Sequence, residues 1–465
     1  MCRVNPLWTS AEMALATGGT ASGEFSCTGV AFDSREIGVG DLFFALKGQA
    51  SDGHYYLDQV HRAGAAAAVV SADCAGPHIR VADTAQALND LALAARARTK
   101  AKIIGVTGSA GKTGTKEALF AALDRSSRGH AHRSVKSYNN HVGVPLSLCR
   151  MPVDAQYGIF EMGMNHPGEL RALTGLVRPD VAIITTIAPA HIGFFKDETE
   201  IAKAKAEIFE GLRPGAAAII PADSEHFALL RDIASRYTSN ILSFGFDPAA
   251  DIRVIDHVGA PGGGSLITAQ LPSGTLCYTL SQPGRHWAAN SLAVLAAVEA
   301  VGGDLASAGL ALAELEGLAG RGARYEIAIG GGEAMLIDES YNANPASMAA
   351  TLSQLGSLTP GRRIAVLADM KELGDQSARY HLSLAEDLAG AKVDYAILVG
   401  EEMDILAHSL KQGLEGPANF AHCSNAKEAL TLLRDYLQPG DNVLVKGSNS
   451  MGLSAIIHAY TGGEN

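Results

Sequence analysis

Lys102-Ile-Ile-Gly-Val-Thr-Gly-Ser-Ala-Gly-Lys-Thr113 runs as an apolar, β-branched segment into two glycines and then into Lys112-Thr113, where a helical pattern begins. Strand, glycine turn and helix start in this order predict a phosphate-binding loop. The spacing G-x-x-G-K-T is shorter than the common G-x-x-x-x-G-K-[ST], whose first glycine would fall on Val106. Gly108 and Gly111 let the backbone turn its N–H groups inward, the helix presents its positive end, Lys112 adds a point charge, and the Thr113 hydroxyl suits Mg²⁺. Thr107, Gly108, Ser109, Ala110, Gly111, Lys112 and Thr113 are therefore the expected cradle for a nucleotide triphosphate.

Outward from the loop, between about residues 101 and 320, apolar runs at Ile103–Thr107, Tyr157–Phe160, Val181–Thr186, Ala216–Ile220 and Ile241–Phe244 alternate with helical stretches. That alternation predicts a mostly parallel sheet whose strand C-termini converge on a ligand. Glu161 ends one run as a metal-binding or water-orienting carboxylate and His191 follows another, so both join the loop as candidate site residues, whereas Asp223 reads as a cap or loop residue. From 251 to 282, β-alternation broken at Pro261-Gly-Gly-Gly264 and Pro272-Ser-Gly274 predicts an antiparallel patch. Gly284-Arg-His-Trp-Ala-Ala-Asn290 opens a long apolar helix whose first turn offers Arg285, His286 and Asn290 to a nucleotide.

Before residue 101, short strands and Ala-rich helices predict a small α/β domain, with Asp33-Ser34-Arg35 and Lys47-Gly48 closing strands and Asp52-Gly-His-Tyr-Tyr56 following. After about 320, a hairpin around Gly330-Gly-Gly332 precedes strands at Met335–Asp338, Ile364–Ala368, Tyr395–Val399 and Asn442–Lys446, each followed by a helix, the pattern of a doubly wound, Rossmann-like domain. It carries no G-x-G-x-x-G, so a dinucleotide site has no support there. The expectation is α/β with three domains, 1–100, 101–320 and 321–465.

A chain of 465 residues exceeds what one core usually serves, and 47% hydrophobic content suits several packed cores. A net charge of −12 without long basic runs argues against nucleic acid as partner, so anionic ligands need local sites. Six scattered cysteines, Cys2, Cys27, Cys74, Cys149, Cys277 and Cys423, form neither a C-x-x-C pair nor a disulfide framework and fit a reducing cytosol. With no signal-peptide core and no charge-free stretch of ~18 apolar residues, a soluble cytoplasmic monomer without a membrane partner is expected.

Gly108-Ser-Ala-Gly-Lys-Thr113, Glu161-Met-Gly-Met-Asn-His-Pro-Gly-Glu169, His191, Ala202-Lys-Ala-Lys-Ala-Glu-Ile-Phe209, Gly284-Arg-His…Asn290, Asp338-Glu-Ser-Tyr-Asn-Ala-Asn344 and Val443-Leu-Val-Lys-Gly-Ser448 together resemble the Mur ligases of peptidoglycan synthesis. The resemblance runs from Leu7 to the last helix in the family's motif order; Asn449 departs from it, standing where many relatives carry arginine. It implies an amino-terminal domain for a UDP-sugar-peptide, a central ATPase and a carboxy-terminal domain that closes on the site. The implied reaction joins UDP-N-acetylmuramoyl-tripeptide to D-alanyl-D-alanine with ATP and Mg²⁺, through an acyl phosphate. By similarity, Lys112 neutralises phosphate charge, Thr113 and Glu161 hold Mg²⁺, His191 is a second metal ligand, and Arg324 reaches the γ-phosphate. Asn290 and Asp338 would contact adenine and ribose; Ser34, Arg35, Lys47, His54, Asn344 and Lys446 would contact substrate.

Lys205 lies in Thr199-Glu-Ile-Ala-Lys-Ala-Lys-Ala-Glu-Ile-Phe-Glu210, where pattern alone makes it a solvated charge like Lys203, Glu207 and Glu210. The resemblance implies instead a lysine carbamylated by CO₂ and serving as an anionic metal ligand. Competing readings are a sister ligase adding a single amino acid, a folylpolyglutamate-type synthase, a nucleotide-operated switch that only hydrolyses ATP, and a phosphotransferase. Phosphate release that requires both a carboxylate and an amine substrate separates a ligase from a switch.

Overall fold

Most strands follow one another through helices rather than tight turns, and the three main sheets they form are accordingly mostly parallel. The computed structural model describes residues 6–48, 51–260 and 264–462. Residues 1–5, which include Cys2, and 261–263, most of the expected glycine break, lie outside the described residues.

The first sheet runs Thr20–Ala21, His78–Arg80, Ala67–Val70, Asp41–Phe44, Gly29–Ala31. The central sheet has nine strands: Ala131–Arg133 at one edge, then Tyr157–Glu161, Lys102–Thr107, Val181–Ile184, Ala217–Pro221, Asn240–Gly245 and Ile252–Gly259, with Ser265–Leu271 and Gly274–Leu280 added antiparallel at the other edge. The third is six-stranded, Ala323–Ile329 antiparallel to Gly332–Glu339 and the remainder parallel.

Strand Lys102–Thr107 sits inside the central sheet, and Ile103, Ile104 and Val106 expose none of their surface. Burying each such side chain contributes roughly 1.5–3 kcal/mol. Register aligns Glu161 with Val106 and Ile184 with Thr107, so three strands end level beneath one cleft. The run expected to reach Thr186 stops as a strand at Ile184, because Thr185 and Thr186 turn to bond the phosphate loop. Ala131–Arg133 and Asn419–Cys423, neither anticipated, are edge strands. With a neighbour on one side only, such strands tolerate polar composition.

The first unit is bolted to the second. Helix Thr84–Arg98 packs on helices Gly143–Cys149 and Glu169–Val177, and Arg96 donates to the carbonyls of Val177 (2.7 Å) and Arg178 (2.8 Å), finishing the latter helix. Trp8, almost wholly buried, donates its indole N–H to the Cys149 carbonyl at 2.8 Å while the Arg98 guanidinium lies 3.3 Å from its ring centre. Glu36 crosses to Lys136 and accepts from the Tyr138 hydroxyl at 3.0 Å.

Candidate active site

The phosphate loop is built by contacts from Thr185–Ala188. Thr185 Oγ1 donates to the Ala110 carbonyl (2.6 Å), Ser109 N–H donates to Thr186 O (2.8 Å), and Ser109 Oγ donates to Ala188 O (2.8 Å). These approaches dictate glycine: at Gly108, φ 153°, a Cβ would stand 1.9 Å from Thr185 Oγ1. Helix Lys112–Ser127 starts at Gly111 without a side-chain cap, leaving its first N–H groups for an anion. Lys112 Nζ donates to Gly108 O at 2.8 Å, and burial pushes its pKa down, opposed by Glu161 and reinforced by Arg321.

Glu161 is completely buried at its strand end; it accepts from Thr113 Oγ1 (2.9 Å) and Asn139 Nδ2 (2.8 Å). A hydroxyl paired with a carboxylate beside a phosphate cradle is a hard-oxygen donor set that fits Mg²⁺. Among the described residues no cluster of three or more His, Cys, Asp or Glu side chains is arranged to hold a metal by itself. His191 lines the same cleft. Burial lowers its pKa, as do Lys112 and Lys205, while Glu372, paired to Nδ1, opposes them.

Lys205 is buried, 2% exposed, and its pKa is pushed far below the usual lysine range by burial and then by the charge of Lys112. The solvated reading fails for Lys205 and also for Glu207. Glu207 is buried and accepts from Gly168 N (2.8 Å) and Arg171 N (3.2 Å), capping helix Glu169–Val177. Lys203 is exposed, and Glu210 pairs with Arg171.

From the third unit, two expectations shift by a few residues. Arg324 sits within strand Ala323–Ile329 and does not line the cleft; its Nη2 is buried without a partner among the described residues. From this segment it is Arg321, three residues earlier, that lines the cleft, because a residue in the loop before the strand can reach across the junction. Its guanidinium lies 4.2 Å from the Tyr341 ring centre and 3.3 Å from Ser137 Oγ. Asp338 likewise does not reach the cleft: its carboxylate accepts from Gly320 N (2.6 Å), Ser340 N (3.1 Å) and Ser340 Oγ (2.6 Å), shaping the turn that carries Arg321. Glu339, the next residue, does line it, 3.5 Å from Lys446, with its pKa raised by burial. Lys446 is buried and donates to Asn342 O at 3.0 Å. Asn344 caps helix Pro345–Gly356 and also donates to Ser109 O (3.3 Å), tying third unit to phosphate loop.

The cleft enclosed by these parts measures ≈1080 Å³. Beyond Asn290, whose amide packs on Gly111, it is walled by Phe246 with Arg285 stacked 3.5 Å from its ring centre, and by His286 and Trp287. Burial holds His286 at a pKa of about 4, a neutral ring beside a nucleotide-sized space.

Ser34, Arg35, Lys47 and His54 do not line this cleft. Arg35 is exposed and forks onto Asp33 (2.9 and 2.6 Å); Lys47 is exposed beside Asp52. Both nitrogens of His54 are engaged, Nδ1 with Asp52 (2.6 Å) and Nε2 with Ser71 N–H (2.9 Å), so here it ties loops together.

Sequence reading missed Ser137, Asn139, Arg321, Glu339 and Glu372. The polar run Ser137-Tyr-Asn-Asn140 was a usable signal for the first two; the others meet the site only across unit boundaries.

Models of known families match consecutive parts of the chain: "Mur ligase family, catalytic domain" at 26–99, "Mur ligase middle domain" at 106–298, and "Mur ligase, glutamate ligase domain" at 323–449. The UDP-N-acetylmuramoyl-tripeptide–D-alanyl-D-alanine ligase of Escherichia coli K12 is 34% identical over 437 residues, covering 92% of this chain and 93% of that protein. The crystal structure of MurF from Acinetobacter baumannii superposes with a TM-score of 0.84 at 30% identity, over 98% of this chain and 99% of that one. MurF from Thermotoga maritima in complex with ADP gives 0.77 at 26% identity, over 93% and 96%.

Proposed function

The chain belongs to the Mur ligase family, and from that premise we propose that it joins D-alanyl-D-alanine to UDP-N-acetylmuramoyl-tripeptide, with ATP converted to ADP and phosphate. The observation that carries this reading is the joint wall of the cleft: the phosphate loop with Lys112, the Thr113–Glu161 pair, and Arg321 and Asn344 reaching in from the third unit.

A carboxylate is a poor electrophile. Its oxygen attacks the γ-phosphorus of ATP, the bond to the bridging oxygen breaks, and ADP leaves. The amine of D-alanyl-D-alanine then adds to the acyl phosphate carbonyl, loses a proton, and the tetrahedral intermediate expels phosphate as the peptide bond forms. Positioning and charge neutralisation carry most of the rate in such transfers. Lys112 and the free N–H groups of helix Lys112–Ser127 hold the phosphates, and Arg321 adds positive charge from the opposite wall. Asn139 fixes the Glu161 carboxylate. Thr113 and Glu161, with His191 and a carbamylated Lys205, would hold Mg²⁺, which supplies Lewis-acid neutralisation of the phosphate oxygens. Burial and the charge of Lys112 push the Lys205 amine toward its neutral form, and the neutral amine is the form that adds CO₂. Asn290 is assigned to adenine, and Asn344 and Lys446 to substrate.

Residues 1–100 are assigned to the UDP-sugar-peptide, 101–320 to ATP, and 321–465 to the closing wall. Among the described residues no helix is long and apolar enough to cross a membrane, and the reaction is placed in the cytoplasm. The test is product mass and phosphate release with UDP-N-acetylmuramoyl-tripeptide and D-alanyl-D-alanine, together and singly. Phosphate release with neither substrate would overturn the reading.

A further inference from the structure

The third unit seats on the central one beside His191 through an unusual pair of backbones. His191 (φ 59°) and Glu372 (φ 65°) are both non-glycine residues in the left-handed region, a conformation kept only where surroundings over-determine it. They meet each other. The Glu372 carboxylate pairs with His191 Nδ1, and Gly193 N–H donates to the Glu372 carbonyl at 3.0 Å. The approach is too close for side chains: a Cβ on Gly193 would lie 2.8 Å from Gly374 N, and one on Gly374 would lie 2.8 Å from Gly193 Cα. Glu372 itself is half exposed, so the ion pair alone is weak; the backbone seat holds it in place.

We propose that Glu372 is the positioning residue for His191: when the third unit seats, its carboxylate accepts a hydrogen bond from Nδ1–H and fixes the neutral imidazole in the tautomer whose Nε2 is the ligating nitrogen. A carboxylate acting as acceptor requires Nδ1 to be the donor, which leaves the lone pair on Nε2. Metal-binding histidines are characteristically oriented by such a carboxylate. Here that partner arrives from another domain, so a complete ligand exists only in the seated molecule. The inference rests on the reading of His191 as a metal ligand.

Full-length protein labelled with ¹⁵N-histidine, saturated with ADP, reports the tautomer of His191, assigned through His191→Gln. Wild type and Glu372→Gln, which keeps an acceptor oxygen, should show Nδ1–H. Glu372→Ala should lose that signature, and Gly193→Val should lose it too, because it blocks the seat while leaving both side chains in place. Manganese affinity, read by electron paramagnetic resonance with ADP present, should fall by ~10–100-fold in Glu372→Ala. Retention of the Nδ1–H signature and of wild-type manganese affinity in both Glu372→Ala and Gly193→Val overturns the proposal. An unchanged manganese affinity in His191→Ala would count against the metal reading alone, with the tautomer signature still deciding the role of Glu372.

Discussion

Gly108→Ala tests whether the phosphate loop works because of its shape. The new methyl carbon would start 1.9 Å from Thr185 Oγ1 and 3.2 Å from Thr185 Cβ and N, at a φ of 153° that side chains rarely adopt. Ordinary contact needs well over 3 Å, so either Thr185 rotates or the loop backs away by on the order of 1 Å. Rotation abandons the bond from Thr185 Oγ1 to Ala110 O (2.6 Å), worth about 1 kcal/mol. Overpacking and backbone strain add roughly 2–4 kcal/mol. A displacement of that size at a phosphate-positioning loop costs about 10²-fold in turnover. The double variant Gly108→Ala/Thr185→Ala removes the worst clash and should regain about ten-fold of that loss, while remaining below wild type because φ and the two hydrogen bonds of Thr185 are not restored. Phosphate release with both substrates measures kcat and the KM for ATP, and circular dichroism checks the fold. A folded Gly108→Ala enzyme with wild-type kcat would refute the reasoning, as would a double variant no better than the single.

Arg321→Ala should lower turnover by ~10²–10³, the scale for one preorganised charge-stabilising donor, whereas Arg324→Ala should stay within the wild-type order of magnitude; reversed effects would return the phosphate contact to Arg324. Lys205→Ala should be nearly inactive and partly restored by short carboxylates added to the buffer, and the exposed Lys203→Ala should behave as wild type; equal losses would sink the carbamate role. His132 donates from Nε2 to Ser147 O (2.8 Å), and burial lowers its pKa from 6.5 to about 4. Between those values the unfolded chain binds more protons than the folded one, so stability falls as pH drops from 6.5 to 4, by up to about 3 kcal/mol, and this contribution is flat outside that window. Denaturant midpoints of wild type and His132→Gln at pH 7 and pH 4.5 should converge toward acid; parallel shifts would remove the assignment.

What could be read from the sequence was what is local along the chain. The loop, its strand and its helix are contiguous, so period and glycine spacing located them, and Glu161 and His191 followed because parallel strands end on one side. The burial of Lys205 has no local signal, since alternating lysine and alanine gives no sign of which face is buried. Arg321 and Arg324 are three residues apart in Gly320-Arg-Gly-Ala-Arg324, and only the start of strand Ala323–Ile329 decides which one can leave the sheet. Asp338 and Glu339 differ by one residue and therefore point to opposite faces of a strand. Contacts such as Asn344 to Ser109, or Glu372 to His191, join residues 235 and 181 positions apart. No local pattern encodes them.

The two tryptophans make the molecule its own optical instrument. Trp8, under the Arg98 guanidinium, lies at the junction of the first and second units, and Trp287 stands in the cleft wall against Gly114, where a Cβ would touch its ring at 2.7 Å. With only two indoles in the chain, each single-tryptophan variant emits from one place. Trp8 emission should stay blue-shifted until the first unit detaches, while Trp287 emission should respond to nucleotide entering the cleft, so docking of the first unit and loading of the site can be followed separately without an attached dye.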